Sequence, residues 1–401
     1  MRVLVLGGAG QQGSYSIEKM IADDFFDEMI LADYDKAKVD AYAKGLNHPK
    51  ISTMQLDVMD KDALVAEMNK ADIVANCTGP YYRLLEPVID ALMASTCKNY
   101  IDFCDDIEVF HKVITEENQS IAKERGMRVI IGMGGSPGFN SILAMSGGSL
   151  MDEVETINMY AMMDELDGGG TAVWDHMFEN FEGTLEVYKD GKIETEQGLS
   201  VKEYHDFDPE IFGDLGEIPV YTLGHPEIFT LPKAYPDLKD INIKVSLYPV
   251  KFMEMIVDLN HIGMLSNEPI QVGDVKVSPR AVLLQLMENF EKDPNTSGGF
   301  FVPGDRPVEE QQVGSTMEVH GKKNGKKALY SGSYELNMGV NTGYPLAIGA
   351  RLLAEGKIKP TGFMVPEEAI TEPAEFVEEF FASAEKANHP LKKNEYIIYD
   401  I

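Results

Sequence analysis

Three glycines near the start of the chain have a spacing that brings backbone N–H groups together around an anion. An apolar run, Val3 to Leu6, leads directly into the segment Gly8-Ala9-Gly10-Gln11-Gln12-Gly13, and a helix-length stretch follows. In this arrangement Gly8 permits a tight turn, Gly10 lets the backbone approach a pyrophosphate, and Gly13 allows close packing of the helix. The free N–H groups at the start of that helix then receive the phosphates. The pattern predicts a dinucleotide-binding β-α-β unit.

An acidic residue lies at the distance where such a unit contacts the adenosine ribose. Asp33 follows Gly13 by twenty residues and ends the second apolar run, Ile30 to Ala32. A carboxylate there accepts hydrogen bonds from ribose hydroxyls and repels a 2′-phosphate, so the sequence predicts NAD rather than NADP. Asp35 is a second candidate for the ribose contact, and the alternative is an N-cap of the next helix. Gly7 is an extra glycine that the motif does not require.

Apolar strand-like runs alternate with amphipathic helical stretches through the first third of the chain. Such alternation predicts an α/β fold with a doubly wound parallel sheet, in which ligands collect at the carboxyl ends of the strands. The expected strands are Val3–Leu6, Ile30–Ala32, Thr53–Val58, Asp72–Asn76, Asn99–Phe103 and Met127–Gly132. The expected helices are Lys36–Lys44, Asp60–Ala71, Leu84–Ala94 and Glu108–Arg125.

The middle of the chain has a different character. Strand-like stretches are longer between residues 154 and 334, and the loops are rich in proline and glycine, which indicates a mixed α+β substrate domain. Residues 322–327 are expected to form a hairpin tip, because Asn-Gly favours a tight primed turn. Residues 346–354 are strongly helical. The expected divisions are a Rossmann domain over 1–137, the α+β domain over 138–338 and a segment returning to the Rossmann domain over 339–401.

The composition excludes several classes of function. A net charge of −31 makes nucleic acid an unfavourable partner, because its phosphates would be repelled. No run approaches the ~20 apolar residues of a membrane span, and the first strand starts too early to leave room for a signal peptide. Cys77, Cys97 and Cys104 have neither paired nor metal-binding spacing. We therefore expect a cytoplasmic protein without a metal site and without a membrane partner.

Motifs along almost the whole chain form a recognisable succession. They are G-G-A-G-Q-Q-G, A-D-I-V-A-N-C-T-G-P-Y-Y, N-Y-I-D-F-C-D, G-M-G-G-S-P-G-F-N, G-H-P-E-I-F-T-L-P, N-T-G-Y-P-L-A-I-G-A-R-L-L and G-F-M-V-P-E-E-A-I. In this order they resemble the saccharopine dehydrogenase-like family of NAD(P)-dependent oxidoreductases, and within it the lysine 6-dehydrogenase branch. The resemblance implies an N-terminal Rossmann domain, an inserted substrate and dimerisation domain, a returning C-terminal segment and a homodimer.

The same resemblance implies roles for individual residues. Tyr81 would lie at the mouth of the substrate cleft, and Asp102 would lie near the reacting amine. The nicotinamide and its ribose would contact two loops at strand ends, represented by Thr78, Gly79, Pro80, Gly135 and Pro137. The residues themselves agree with this placement, because both loops follow expected strands of the parallel sheet.

Oxidation of an amine requires an unprotonated nitrogen, so the site must lower the amine pKa, ordinarily about 10.4, or supply a base. Asp102 is the first candidate for that base, and the alternative is a cap of the following turn. Arg83 is the arginine nearest to the expected cleft, where it either binds a substrate carboxylate or is a solvated surface residue. His176 and His225 are further candidates for ligand contact, the alternative being histidines satisfied by backbone. The candidate catalytic residues are Asp102, Tyr81, Arg83 and His225.

These observations predict an NAD-dependent oxidoreductase that acts on the CH–NH2 group of a small amino acid or amine, with lysine 6-dehydrogenase-like oxidative deamination as the first candidate. One alternative is an imine-forming reductase of the saccharopine or carboxynorspermidine type. Asp33 and the absence of arginine between Arg128 and Arg280 weigh against it, because such a reductase needs a second carboxylate site and usually NADPH. The other alternative is an NAD(H)-binding protein without turnover.

Overall fold

The computed structural model describes residues 1–167, 171–293, 295–296, 298–302, 304 and 310–400. Its contacts divide the chain into two compact units. The first unit comprises Met1–Ser146 and Gly339–Ala387, and the second comprises Gly147–Met338 and Asn388–Ile401. Within the described ranges, no helix has both the length and the apolar character needed to cross a bilayer.

Strands and helices alternate regularly before residue 150. They are β1 (Arg2–Leu6), α1 (Gln11–Asp23), β2 (Glu28–Asp33), α2 (Lys36–Leu46), β3 (Ile51–Gln55), α3 (Lys61–Met68), β4 (Ile73–Asn76), α4 (Tyr81–Ala94), β5 (Asn99–Asp102), α5 (Ile107–Val113), α6 (Glu116–Glu124), β6 (Arg128–Ile130) and α7 (Phe139–Gly148).

Longer strands dominate the middle of the chain, and helices return near its end. The elements of the middle are β7 (Glu153–Asp164), α8 (Thr171–Glu179), β8 (Thr184–Lys189), β9 (Lys192–Gln197), β10 (Glu203–Asp206), α9 (Pro209–Phe212), β11 (Glu217–Thr222), α10 (Glu227–Ala234), β12 (Asp240–Tyr248), α11 (Val250–His261), β13 (Ile270–Val272), β14 (Val275–Val277), α12 (Pro279–Lys292), β15 (Gly314–Lys323) and β16 (Lys326–Leu336). The last elements are α13 (Met338–Ala354), β17 (Gly362–Met364), α14 (Pro366–Ala369), α15 (Pro373–Lys386) and β18 (Leu391–Tyr399).

The first unit is built on a seven-stranded parallel sheet in the described residues, with the order β17-β6-β5-β4-β1-β2-β3. The six N-terminal strands have the doubly wound order that the sequence predicts, which confirms the α/β fold class. The apolar residues of β1, from Val3 to Leu6, are at most 2% exposed, as expected of a strand covered on both faces. The seventh strand, β17, was not predicted, and it pairs with β6 from Gly362↔Arg128 onward.

Local hydrogen bonds set the ends of several helices in this unit. Asp35 caps α2 by accepting from Lys38 N at 3.0 Å, so the cap is confirmed as a role of this residue. The single helix expected over Glu108–Arg125 is wrong, because the chain breaks into α5 and α6. Thr115 causes the new start by accepting a hydrogen bond from Asn118 N at 3.1 Å.

The second unit is built on a mixed sheet that has nine strands in the described residues. The main path is β10-β11-β12-β7-β15-β16-β18, and β8 joins β9 to β12. Residues alternate along β7, so that Ala161 and Met163 contact the core formed with α8, α11 and α12, while Met162 contacts a smaller core with α9. This mixed sheet agrees with the predicted α+β character.

Two features of the second unit bear on the sequence expectations. The hairpin between β15 and β16 is confirmed, and its turn residues Asn324 and Gly325 both have positive φ, 53° and 75°. The end of the chain differs from the expectation, which placed all of 339–401 with the first domain. In the structure β18 pairs antiparallel with β16, so the last strand belongs to the second unit.

Candidate functional site

The turn between β1 and α1 requires glycine for two different physical reasons. Gly7 has φ +69°, and a Cβ there would lie 2.9 Å from Thr78 Cγ2. Gly8 has no positive φ, but a Cβ would lie 2.6 Å from Ile17 Cδ1. The residue with a left-handed backbone conformation is therefore Gly7 and not Gly8. The tight turn begins one residue before the predicted motif.

The start of α1 is shaped for a diphosphate. A Cβ at Gly13 would lie 3.0 Å from Cys77 Cβ, so Gly13 lets the helix approach the end of β4. Gly10 occupies the N-cap position without a side-chain cap, and the first N–H groups of α1, including those of Gln11 and Gln12, have no acceptor within the helix. The Gln12 Oε1 atom is buried and has no hydrogen-bond partner in the described residues. These residues fit the pyrophosphate of a dinucleotide.

The carboxylate of Asp33 lies at the end of β2, as predicted. Its Oδ1 accepts from Asp35 N at 3.0 Å, while Oδ2 accepts no hydrogen bond from the described residues. The nearest cation in sequence, Lys36, is bound by Asp40 and by Thr53. An acceptor is thus available for ribose hydroxyls, whereas the Lys36 ammonium is already engaged.

The loop after β4 carries the predicted Thr78, Gly79 and Pro80. Thr78 donates from N and Oγ1 to Asn76 Oδ1, at 3.1 and 2.6 Å, and the Gly79–Pro80 peptide bond is cis. Since the amide oxygen of Asn76 takes both bonds, it fixes the direction in which the loop leaves the strand.

The start of α4 carries the two candidates Tyr81 and Arg83. Tyr81 is buried instead of lying at a cleft mouth, and its hydroxyl donates to Asn76 O at 2.9 Å. Burial raises the Tyr81 pKa well above its ordinary value, so this hydroxyl stays protonated. Arg83 is exposed, and its guanidinium forms no ion pair with the residues that the structure describes. Of these two, Arg83 is the group presented to an anionic ligand.

Asp102 ends β5, and it is fully buried. Its Oδ2 accepts from the Tyr100 hydroxyl at 2.8 Å, and its Oδ1 accepts from Cys104 N at 3.0 Å and from Gly132 N at 2.9 Å. Burial raises the Asp102 pKa to about 7, and the three hydrogen bonds oppose that rise. Both oxygens are occupied by the protein itself, so in this structure Asp102 holds its neighbours and does not open onto solvent.

The loop after β6 is the second predicted nicotinamide contact. A Cβ at Gly135 would lie 2.8 Å from Asn341 Nδ2 and 3.3 Å from Asn341 O, so a larger residue would displace the Asn341 side chain at the start of α13. The Ser136–Pro137 bond is cis, and Pro137 O accepts from Gly134 N at 3.0 Å. The loop is therefore a closed turn with little room for side chains, as close approach to a planar ring requires.

The thiols close to these loops are not nucleophiles. Burial raises the pKa of Cys77 to about 12 and that of Cys104 well above its ordinary value. Both are therefore neutral thiols in the neutral range.

His225 lies in the second unit, between β11 and α10. Its Nδ1 lies 2.5 Å from Glu227 Oε2, and Glu227 is fully buried. His176 on α8 bonds through Nε2 to Asn180 Nδ2 at 2.8 Å. Ring nitrogens of the two histidines lie within 4.8 Å of each other. A carboxylate at Nδ1 favours the tautomer with the proton on that nitrogen, which makes Nε2 the basic atom.

Arg280 is the first arginine after Arg128, and it is 2% exposed. Its guanidinium faces three carboxylates of one segment, with NH1 3.5 Å from Asp175 and in contact with Glu179, and NH2 2.7 Å from Glu182. The guanidinium forms ion pairs with carboxylates of its own unit, so Arg280 does not present a cation to a substrate carboxylate.

Sequence reasoning missed Asn76, Tyr100 and Glu227. The sequence did contain signals for them. Asn76 is a polar residue at the end of an apolar strand, and Tyr100 precedes Asp102 by two positions, which places both side chains on one face of the sheet. Glu227 follows His225 across a proline, a spacing that allows the two side chains to meet.

Comparison with known proteins finds two consecutive family models that together match most of the chain. The family model for the saccharopine dehydrogenase NADP binding domain matches residues 3–128, and the model for the saccharopine dehydrogenase C-terminal domain matches residues 134–387. Carboxyaminopropylagmatine dehydrogenase from Synechocystis sp. is 24% identical over 393 residues, which cover 93% of this chain and 94% of that protein.

A similar fold is found among solved structures. The apo form of saccharopine dehydrogenase (L-Glu forming) from Saccharomyces cerevisiae superposes with a TM-score of 0.66 at 15% identity. The match covers 98% of this chain and 99% of that one. The likeness at this identity concerns the fold, and it extends over both units.

Proposed function

Because the chain belongs to the saccharopine dehydrogenase family, it is an NAD(P)-dependent dehydrogenase acting on CH–NH or CH–NH2 donors, and we propose that it oxidises the primary amine of an amino acid or a related amine with NAD. The reaction we assign to it is oxidative deamination of the lysine 6-dehydrogenase kind. The observation that carries the proposal is the adenosine-diphosphate site formed by the uncapped start of α1 and the available Oδ2 of Asp33.

The reaction needs a hydride acceptor, a proton acceptor and water. The C–H bond beside the nitrogen breaks with its electron pair, which NAD accepts as hydride when it is bound. The nitrogen lone pair forms the C=N bond, the nitrogen loses a proton to a base, and water then releases ammonia and an aldehyde. His225 is our candidate for the base, because Glu227 holds its proton at Nδ1 and would stabilise the imidazolium.

The other candidate residues take supporting roles in this proposal. Arg83 is exposed and unpaired in the described part of the chain, so it is suited to bind the carboxylate of an amino-acid substrate. Asp102 is fully buried with both oxygens bonded, so we assign it to positioning the neighbouring loops instead of proton transfer.

A second candidate function is that of an imine-forming reductase, which joins an aldehyde to an amine and reduces the imine; similar proteins are named carboxyaminopropylagmatine dehydrogenase and saccharopine dehydrogenase (L-Glu forming). That reaction needs a second site for a carboxylate. The guanidinium of Arg280 is already engaged by Glu179 of α8 and by Glu182 just after it, which weighs against this candidate.

The test is to mix the protein with NAD and a panel of lysine, ornithine, diamines and neutral amino acids, and to follow reduced cofactor by its absorbance. We expect turnover with lysine or a close ω-amino compound and none with neutral amino acids. Turnover only in the reverse direction, with NAD(P)H, an amine and an aldehyde, would favour the reductase. Silence in both directions with intact NAD binding would favour a protein without turnover.

The His225→Gln variant tests the base in the same assay. We expect turnover to fall by roughly 100-fold or more, as for general bases elsewhere, while the affinity for NAD stays unchanged. The control is Glu395→Gln, which alters a carboxylate bonded to Tyr330 in the same unit. Equal turnover by the His225 variant and the unaltered protein would remove His225 from the mechanism.

A further inference from the structure

Three buried polar side chains connect the strand ends that carry the two expected nicotinamide loops. Asn76, Tyr100 and Asp102 are each fully buried. Asn76 Nδ2 donates to the Tyr100 hydroxyl at 2.9 Å, and that hydroxyl donates to Asp102 Oδ2 at 2.8 Å. Asn76 and Asp102 are also direct neighbours in the β4–β5 register. We call these three residues the buried chain.

Each end of the buried chain holds the backbone of one loop. At one end, Thr78 N donates to Asn76 Oδ1 at 3.1 Å. At the other end, Gly132 N donates to Asp102 Oδ1 at 2.9 Å. The buried chain therefore connects the loop after β4 to the loop after β6, through the interior of the sheet.

The hydrogen bonds of the buried chain have one direction. Thr78 N is a backbone donor, so it fixes the amide oxygen of Asn76 and turns the NH2 group toward Tyr100. The Tyr100 oxygen then accepts from Asn76, and its proton must go to Asp102. Every member is satisfied only when Asp102 is an acceptor at both oxygens, that is, an ionised carboxylate.

We propose that the buried chain is a positioning element for the nicotinamide half of the cofactor site, and that its direction is what holds the loops after β4 and β6 in register. This inference rests on the proposed function, since it takes these loops as the nicotinamide contacts. Asn76, Tyr100 and Asp102 act through backbone atoms of the two loops. The glycine turn and Asp33, which would hold the adenosine diphosphate half, have no hydrogen bond to the buried chain among the described residues.

A substitution at Asp102 tests the direction of the hydrogen bonds in the buried chain. In Asp102→Asn the new amide can still accept from Cys104 N and Gly132 N, but its NH2 group faces the Tyr100 oxygen. Tyr100 then has a donor on either side, and its own proton has no acceptor. A single unsatisfied buried group of this kind is expected to weaken a binding constant by roughly tenfold.

The double variant Asn76→Asp/Asp102→Asn restores the hydrogen bonds of the buried chain in the opposite direction. The carboxylate at position 76 accepts from Thr78 N and from Tyr100, and the amide at position 102 donates to the Tyr100 oxygen. All groups again have partners, with the same net charge and nearly the same volume. If these three residues contributed only to packing, the single and the double variant would bind NAD equally well.

The experiment is calorimetric titration of the full chain with NAD and with ADP, which lacks the nicotinamide ribose and ring. We expect Asp102→Asn to weaken NAD binding about tenfold and to leave ADP binding unchanged, and the double variant to return NAD affinity to within about threefold of the unaltered protein. Tyr330→Phe removes a part-buried hydroxyl-to-carboxylate bond in the second unit and should change neither affinity.

Several outcomes would overturn the inference. They are equal NAD affinity in Asp102→Asn and the unaltered protein, equal losses for NAD and ADP, and failure of the double variant to recover. If Asp102→Asn does not fold by circular dichroism, Tyr100→Phe carries the same test, because it removes the central hydroxyl and keeps the ring. A protein that binds NAD but oxidises no amine would overturn the proposed reaction and not this inference, whereas absence of binding to both nucleotides would overturn both.

Discussion

Asp33 and Asp102 are the same residue type at equivalent places, the carboxyl ends of parallel strands, yet their surroundings give them different chemistry. Asp33 keeps one oxygen without a partner among the described residues, whereas both oxygens of Asp102 accept hydrogen bonds inside the protein. The sequence predicts both positions, because strand ends follow from local pattern. It does not predict that both oxygens of Asp102 are occupied, because one of the donors is the backbone N–H of Gly132, thirty residues along the chain and beyond the next strand.

The Asp33→Ala variant tests the cofactor preference at the residue scale. Removal of the carboxylate takes away the ribose acceptor and the repulsion of a 2′-phosphate. We expect the ratio of kcat/KM for NAD to that for NADP to fall by roughly tenfold or more, since each lost charged hydrogen bond is worth about 1.5–3 kcal/mol. The measurement is steady-state kinetics with both cofactors.

The matched control for this prediction is Asp35→Ala. Asp35 caps α2, so its loss should lower the free energy of unfolding by about 1 kcal/mol without changing the cofactor ratio. If the ratio stays constant in Asp33→Ala and shifts in Asp35→Ala, the ribose contact belongs to Asp35.

Among the secondary-structure elements, those with a long and regular pattern were predictable. The strands β1 to β6 and the β15–β16 hairpin follow from apolar runs and from the Asn-Gly pair. The strand β17 was not predicted, and in the structure it pairs with β6, which lies more than 230 residues earlier in the chain. The break between α5 and α6 rests on one hydrogen bond to Thr115, which no periodicity reveals. Glu227 was missed although it lies only two residues from His225 and its carboxylate contacts that ring.

The hairpin turn gives a prediction at the scale of the element. Gly325 has φ +75° and a Cβ there would meet nothing within 4 Å, so Gly325→Ala adds backbone strain without a clash. We expect the free energy of unfolding to fall by about 1–2 kcal/mol. Urea denaturation followed by circular dichroism measures this change.

Gly45→Ala is the matched control in the helix α2. A Cβ at Gly45 also meets nothing within 4 Å, and Gly45 has no positive φ. The same substitution should therefore stabilise the protein by about 0.5–1 kcal/mol. A loss of stability at both positions, or a gain at both, would contradict the assignment of the cost to backbone conformation.

The whole molecule carries an excess of acidic groups, 66 against 35 basic ones, and the direction of their pKa shifts differs between exposed and buried positions. Exposed carboxylates such as Asp152 and Glu194 have lowered pKa values because hydrogen bonds from backbone or lysine stabilise their charge. Burial raises the pKa of Asp102 to about 7 and that of Asp167 to about 6. Of these four groups, Asp102 and Asp167 therefore titrate closest to neutral pH.

The last prediction concerns the pH dependence of the protein's stability. Asp102 and Asp167 bind protons more tightly in the folded chain than in the unfolded one, where an aspartate has a pKa of about 3.9. Their contribution is therefore present in full below pH 4 and is lost as pH rises through about 6 and about 7. Burial lowers the His205 pKa, which acts in the opposite direction, so we compare variants in which this effect cancels. Urea unfolding of Asp102→Asn should show a smaller loss of stability between pH 5 and pH 8 than the unaltered protein, with the difference growing as pH rises and levelling off above about pH 7. In Asp167→Asn the difference should level off above about pH 6. Parallel curves for all three proteins would mean that neither carboxylate titrates in this range.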